Sequence, residues 1–259
     1  MKHTDTNTPI IVVTPFHGSE SILEKLKEQL ISQFSEQDKW VIVYDNIKPK
    51  NFLQIANKQI VVLQNNFNPG AGNARNIALE YIQDNHNYPF LLYPIDSDDE
   101  ILPNAILKIK KSFKNYSDRI ISFGHIKAWK NKKVNFGFDG IYSLRSLLHR
   151  YITPCGSTVI KIESYSEIKD IRFGHRKRAN DQLFFLNAVK KFKCFRCISE
   201  PILLYKITDS NSISSKKYRM IVYKYLALRD FGISRTMTLY YMVYYAYFGV
   251  MRHIFKIGV

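Results

Sequence analysis

Cysteine is scarce in this sequence: Cys155, Cys194 and Cys197 are the only three in 259 residues. So small and odd a set builds no disulfide framework, and the pair Cys194 and Cys197 has no second pair with which to close a zinc ribbon. Reduced thiols in a cytoplasmic protein are expected. Eleven glycines and nine prolines are too few for a collagenous or low-complexity chain, and an apolar fraction of 46% with 14% aromatics excludes disorder. Acidic residues are also short, 22 against 38 Lys and Arg, which leaves a formal charge of +16. A field of that sign favours an anionic partner: nucleic acid, a bilayer surface rich in anionic lipid, or a phosphate-bearing substrate. The polar segment Met1 to Thr8 lacks the apolar centre of a secretory signal.

What the chain does have is alternation. The runs Ile10 to Val13, Trp40 to Tyr44, Ile60 to Leu63 and Phe90 to Ile95 are short, β-branched or aromatic, and bounded by polar residues, as buried strands are. Between the first two, Ile22, Leu23, Leu26, Leu30, Ile31 and Phe34 recur at helical spacing, and after Gly72 so do Ala74, Ile77, Ala78, Tyr81 and Ile82. This pattern predicts an α/β fold with a Rossmann-like, mostly parallel sheet flanked by helices, whose ligand site lies at the carboxyl ends of the strands.

Later the alternation stops. Ile120 to Trp129 and Val134 to Phe138 flank a polar turn and read as a strand pair, a helix follows Asn180, and the cysteine strand leads to Ile202 to Tyr205. From Lys216 the chain reads as helical, and Thr238 to Met251 is uncharged and crowded with tyrosine before Arg252, His253 and Lys256. At about 20 residues needed for a span, that run is too short and suits an interfacial or a packed helix. The expected organisation is a domain over residues 1–205 and a C-terminal helical, basic and aromatic extension over 206–259.

Chemistry-bearing residues collect at the expected strand ends. Thr14, Pro15 and Phe16 follow the first strand, Asp45 the second, and Asp96-Ser97-Asp98-Asp99 the fourth. Three carboxylates held at a sheet edge suit a hard divalent cation, Mg²⁺ or Mn²⁺, that keeps open positions for phosphates. A solvated turn or helix cap is the plainer reading of an isolated Asp-Ser-Asp-Asp. The segment Asn68 to Asn76 adds a turn with Gly70 and Gly72 leading into a helix start, where backbone amides and Arg75 can approach an anion. It matches neither a dinucleotide fingerprint, since Arg75 stands where a third glycine is needed, nor a P-loop.

In this order the elements resemble family 2 of the glycosyltransferases over roughly residues 9 to 205. The resemblance implies the GT-A fold and an inverting, metal-dependent transferase that moves a sugar, as expected for the family from a UDP-sugar donor, to a glycan or lipid-linked glycan acceptor in surface polysaccharide synthesis. It implies that Thr14, Pro15, Phe16 and Asp45 hold the nucleoside. Gly72, Arg75, Asn76, Asp96 and Ser97 would complete the donor site, and Asp98 would reach Mn²⁺ or Mg²⁺, while the resemblance leaves open whether Asp99 is also a ligand. Asp181 takes the place of the catalytic base, with Asn180 where the family usually has Glu. The stretch Tyr205 to Ser214 resembles a family segment that often carries a metal-binding His, which is absent here, and Thr153 to Ser157 is expected on the acceptor side. An acceptor presented at an anionic membrane surface would place the enzyme in the cytoplasm, on the inner face of the cell membrane. A nucleotidyltransferase would use similar metal chemistry. A nucleic-acid-binding protein would use the charge and aromatics, but it leaves the clustered carboxylates unexplained, so no nucleic-acid partner is expected.

Overall fold

Both faces of the first two strands are buried, and this is why they read as unbroken apolar runs rather than alternating ones. In β1 (Ile10–Phe16) the side chains of Ile11 and Val13 enter one core and those of Ile10 and Val12 the other; β2 (Lys39–Asp45) divides Val41 and Val43 from Trp40, Ile42 and Tyr44 in the same way. These positions come from a computed structural model that describes residues 8–48, 58–129, 132–149, 155–176, 178–206 and 217–255. Met1 to Asn7, the turn residues Lys130 and Asn131, Thr153 and Pro154, the stretch Ile207 to Ser214, and Lys256 lie outside the described residues.

The helix α1 (Glu20–Ile31) buries Leu23, Leu26 and Leu30 against one face, and α2 (Ala71–Asn85) buries Ala74, Ala78, Leu79 and Ile82 against the other. With β3 (Ile60–Asn65) and β4 (Phe90–Pro94) they form the parallel half of the sheet, in the order β3-β2-β1-β4. The predicted strand ends therefore share one edge. A two-residue strand β5 (Glu100–Ile101) and helix α3 (Ala105–Asn115) follow the carboxylates.

Beyond β4 the sheet is mixed. The predicted strand pair forms as β6 (Ile120–Trp129) and β7 (Lys132–Phe136), then come β8 (Gly140–Ser143), α4 (Leu144–His149), β9 (Thr158–Ile162) and α5 (Tyr165–Lys169). β9 inserts antiparallel between β4 and β6 and so ends the parallel half. Helix α6 (Asn180–Phe192) precedes β10 (Cys194–Lys206), which runs parallel to β6 and pairs antiparallel with β8 and β5. The chain continues through α7 (Lys217–Asp230) and α8 (Arg235–Phe255). Leu228, Phe231, Ile233, Tyr241 and Met242 pack into the same core as α2 and α6, so the C-terminal helices lie against the sheet domain rather than apart from it.

Away from the site, one buried charge secures the framework. Asp38 is fully buried, accepts hydrogen bonds from the amides of Ile10 (2.9 Å) and Ser35 (2.7 Å), and pairs with Lys110 Nζ at 2.7 Å. A carboxylate satisfied on this many sides tolerates its burial.

Candidate active site at the carboxyl edge of the sheet

Asp45, at the end of β2, is only 8% exposed, and its carboxylate is engaged within the chain: it accepts from Asn65 Nδ2 at 2.8 Å and from the Gly70 amide at 2.8 and 3.0 Å. Gly70 has φ of 146°, a backbone state that favours glycine, and it stands just before α2. Asp45 thus anchors the turn that starts α2. The first-strand side chains also turn inward. Thr14 Oγ1 accepts from Trp40 Nε1 at 2.9 Å, and buried Phe16 meets the Tyr44 ring edge-on at 5.1 Å. The next residue, His17, is exposed, with Nδ1 2.8 Å from the Asp45 carbonyl oxygen; composition gave no hint of it.

The start of α2 is locked to the segment that leads into α6. A methyl group on Gly72 would meet the Gly174 carbonyl oxygen at 2.0 Å, so glycine is required by close approach. Asn76 bonds Phe173 twice, donating from Nδ2 to its carbonyl (3.0 Å) and accepting its amide at Oδ1 (2.8 Å). The Gly174 amide donates to the Asn180 carbonyl at 2.9 Å, and His175 Nδ1 lies 2.5 Å from Asn73 Oδ1. Gly72 and Asn76, expected beside a donor, here hold the chain that carries Asp181.

Arg75 ties the pieces together. It is 3% exposed, donates from Nη1 to Asn180 Oδ1 at 2.8 Å and from Nη2 to Asp96, and lies 5.1 Å over the Phe173 ring, which itself stacks on Phe184 at 4.0 Å. Burial opposes the charge on Arg75, but Cys155, Asp96 and Asp181 outweigh it and raise the guanidinium pKa. Burial also pushes the Cys155 thiol well up, so at neutral pH the two carboxylates are the charges that count. Asn180, in the place where the resemblance expects Glu, keeps the acceptor oxygen that Arg75 needs and removes a negative charge. Asp181, in the first turn of α6, is therefore within electrostatic reach of the guanidinium that holds Asp96, and its Oδ1 accepts the Gln182 amide at 3.0 Å.

The three clustered carboxylates occupy different surroundings. The Asp96 side chain is 46% exposed and paired with Arg75. Asp99 is buried, and its Oδ2 lies so close to Gly156 that a methyl there would sit 2.4 Å away; burial, then Asp96 and Asp98, raise its carboxyl well above the usual range. The turn Cys155–Ser157 that receives it is fixed by Tyr93, whose hydroxyl donates to the Gly156 carbonyl at 2.8 Å. Asp98 keeps an exposed surface and forms no ion pair among the described residues, yet the protein crowded around it and the charge of Asp96 raise its carboxyl. Among the described residues no three His, Cys, Asp or Glu side chains converge as a ligand set. Of the three, Asp98 is the exposed carboxylate whose oxygens could serve a hard cation, with phosphate and water completing the shell.

Two concavities lie on the flanks, about 410 Å³ between α3 and β10 and about 350 Å³ beside α2, and neither is lined by these carboxylates. Charge and hydrogen bonding, rather than volume, locate the site. Sequence reasoning singled out Arg75, Asp96, Asp98 and Asp181, which the structure brings together; it gave no role to Phe173, which lies under Arg75, and it expected Gly156 on the acceptor side, where the structure packs it against Asp99.

The sheet, parallel in its first half, thus carries a carboxylate cluster at its carboxyl edge, one member of which is bound to an arginine from α2, and similarity to known proteins assigns this arrangement to a glycosyltransferase with the GT-A fold. The chain belongs to glycosyl transferase family 2, whose sequence model matches residues 11–172. It is 22% identical over 261 residues to the UDP-Glc:alpha-D-GlcNAc-diphosphoundecaprenol beta-1,3-glucosyltransferase WfaP of Escherichia coli, covering 95% of each chain. It is also 22% identical over 236 residues to the uncharacterized glycosyltransferase MJ1057 of Methanocaldococcus jannaschii, covering 85% of this chain and 77% of that one. Among solved structures, Staphylococcus aureus TarS 1–349 in complex with UDP-GlcNAc shares the fold at a TM-score of 0.65 and 18% identity, over 91% of this chain and 70% of that one.

Proposed function

We propose that this protein is an inverting, metal-dependent glycosyltransferase that moves a hexosyl group from a UDP-sugar to a glycan or lipid-linked glycan acceptor in surface polysaccharide synthesis, acting in the cytoplasm on the inner face of the cell membrane. One observation supports the reading: Arg75 joins Asp96 to Asn180, and Asp181, the next residue, is within electrostatic reach of the same guanidinium. The relative whose name includes UDP-Glc and a diphosphoundecaprenol acceptor, and the fold shared with a UDP-GlcNAc complex, support the donor and acceptor classes.

Asp181 takes the proton of the acceptor hydroxyl as that oxygen bonds to the anomeric carbon. The bond from that carbon to the diphosphate oxygen breaks on the opposite side, UDP departs with the electron pair, and the configuration inverts. Asp98 would hold Mn²⁺ or Mg²⁺, which when bound supplies positive charge to the leaving diphosphate. Arg75, buried and permanently charged, keeps Asp96 and Asn180 in place. The residues of the Thr14 to Phe16 segment, Asp45, Gly72, Asn76 and Ser97 complete the donor side, some by contact and some by holding the turn and the α6 segment.

The experiment measures UDP release and sugar transfer across a panel of UDP-sugars with Mn²⁺, Mg²⁺ or EDTA, for the wild type, Asp181→Asn and Asp98→Ala. Asp181→Asn is expected to abolish transfer while UDP with Mn²⁺ still raises its melting temperature; Asp98→Ala is expected to lose that nucleotide stabilisation. Transfer at the wild-type rate by Asp181→Asn, or in EDTA, refutes the assigned roles.

A further inference from the structure

The helix α8 is apolar on the side that packs and equally apolar on the side that does not. Between Arg235 and Arg252 it has no charged residue. Its inner face is accounted for: Thr238 is fully buried, Tyr241 and Met242 join the core, and Tyr245 lies 4.0 Å beneath Lys224 Nζ. On the opposite arc Met237, Leu239, Val243 and Tyr247 face solvent, with Leu239 59% and Val243 68% exposed, and Tyr240 and Tyr244 at its border are partly exposed while also touching His149. The neighbouring helix α7 exposes Ile221 and Val222 as well. A helix at a protein–water boundary places charge outward, and one that is hydrophobic all round is covered on all sides.

We propose that the outer face of α8 rests on an anionic bilayer surface. Charge chooses this occupant over a second copy of the chain, since two molecules of formal charge +16 repel each other while anionic headgroups attract each one. Residue type agrees. The exposed arc is rich in tyrosine, which favours the headgroup level, and Arg235 and Arg252 stand at the two ends of the uncharged stretch, with Arg145 of α4 within electrostatic reach of Tyr244. No helix among the described residues is long and apolar enough to cross a membrane, so α8 would lie in the surface plane. Its seat on the domain is fixed by His149 of α4, whose ring meets those of Tyr240, Tyr241 and Tyr244 at 5.9, 5.2 and 4.7 Å, so docking would orient the whole sheet domain to the bilayer.

The test is cosedimentation of the full chain with phosphatidylcholine vesicles with and without phosphatidylglycerol, at low and high salt. The wild type is expected to bind the phosphatidylglycerol vesicles and to be released by salt. Leu239→Glu and Val243→Glu should each weaken binding about tenfold, whereas Val243→Trp should strengthen it. All three are expected to keep the wild-type melting temperature and its increase with UDP, a readout that separates docking from the transferase reading. Absence of wild-type binding, equal binding by the Glu variants, or a self-associated species that Val243→Glu dissociates overturns the proposal.

Discussion

Adding one methyl group at Gly72 should damage the reaction far more than the fold. The new carbon would stand 2.0 Å from the Gly174 carbonyl oxygen and 2.9 Å from Asn180 Cβ. An unstrained carbon–oxygen contact is about 3.3 Å, so the carbonyl must retreat by roughly 1.3 Å. It cannot move alone, because the Gly174 amide is bonded to the Asn180 carbonyl, and Asp181 is the next residue. Overpacking of this kind costs about 1 to 3 kcal/mol, and the better helix propensity of alanine returns up to about 1 kcal/mol. The net loss of stability is therefore at most about 3 kcal/mol, or a fall in melting temperature of at most roughly 12 °C for a chain of this size. Displacing a catalytic base by about 1 Å, however, costs on the order of 100-fold in rate. Gly72→Ala is expected to lower kcat by about that factor, with a smaller change in the KM for the donor. Urea unfolding and steady-state UDP release measure the two effects separately. Gly18→Ala is the control, since a methyl there meets nothing nearer than 3.7 Å. If Gly72→Ala keeps its rate within about twofold while folded, the lock between α2 and α6 does not position Asp181.

Two further outcomes follow from other contacts. Arg75→Lys keeps the charge but cannot serve Asn180 and Asp96 with one planar fork, so it should lose about 1.5 to 3 kcal/mol in urea unfolding and reduce transfer; unchanged stability and rate would show that the bridge is dispensable. His125, stacked on Phe136 at 5.8 Å, has its imidazole lowered to about 4 by burial and by the charge of Lys127. Between about 6.5 and that value the unfolded chain binds a proton that the folded chain does not, so stability should fall as pH drops through this window, by about 1 to 2 kcal/mol because the ring is partly exposed. His125→Phe should flatten that acid limb in unfolding curves taken from pH 7 to 4, leaving the smaller contribution of His86, whose pKa burial also lowers.

Burial explains which parts of this fold were legible. β1, β2 and β4 are covered on both faces and announce themselves as apolar runs, and α1 and α2 show a clear periodicity. β9 spans five residues and β5 two, which is too little sequence to carry a pattern, and only the fold reveals that β9 enters the sheet antiparallel. The site divides in a similar way. Asp96, Asp98, Asp181 and Arg75 stood out in the sequence as charged residues at strand and helix ends that fall in the order the family resemblance expects. The partners of Asn76 and Arg75 lie 97 and 105 residues away, so their role in locking Phe173 and Asn180 left no local trace. Asp45 shows the converse, since a carboxylate at a strand end reads as a ligand group while its hydrogen bonds here go to Asn65 and Gly70.

Local charge makes the strongest case for a cation at Asp98. The protein as a whole carries +16, yet among the described residues the buried guanidinium of Arg75 faces four carboxyl groups, Asp96, Asp98, Asp99 and Asp181. Burial raises the carboxyl of Asp99, but Asp96 and Asp181 already offset Arg75, and Asp98 has no ion pair among the described residues. A diphosphate brought to such a place meets like charge unless a positive ion arrives with it. The surface field that would draw an anionic donor toward the protein is therefore opposed over the last few ångströms, and a divalent ion held by Asp98, as proposed, would remove that opposition. On this reasoning nucleotide binding and metal binding are coupled by charge, and UDP should stabilise the protein much more with Mn²⁺ than in EDTA, whereas Asp98→Asn should narrow the difference.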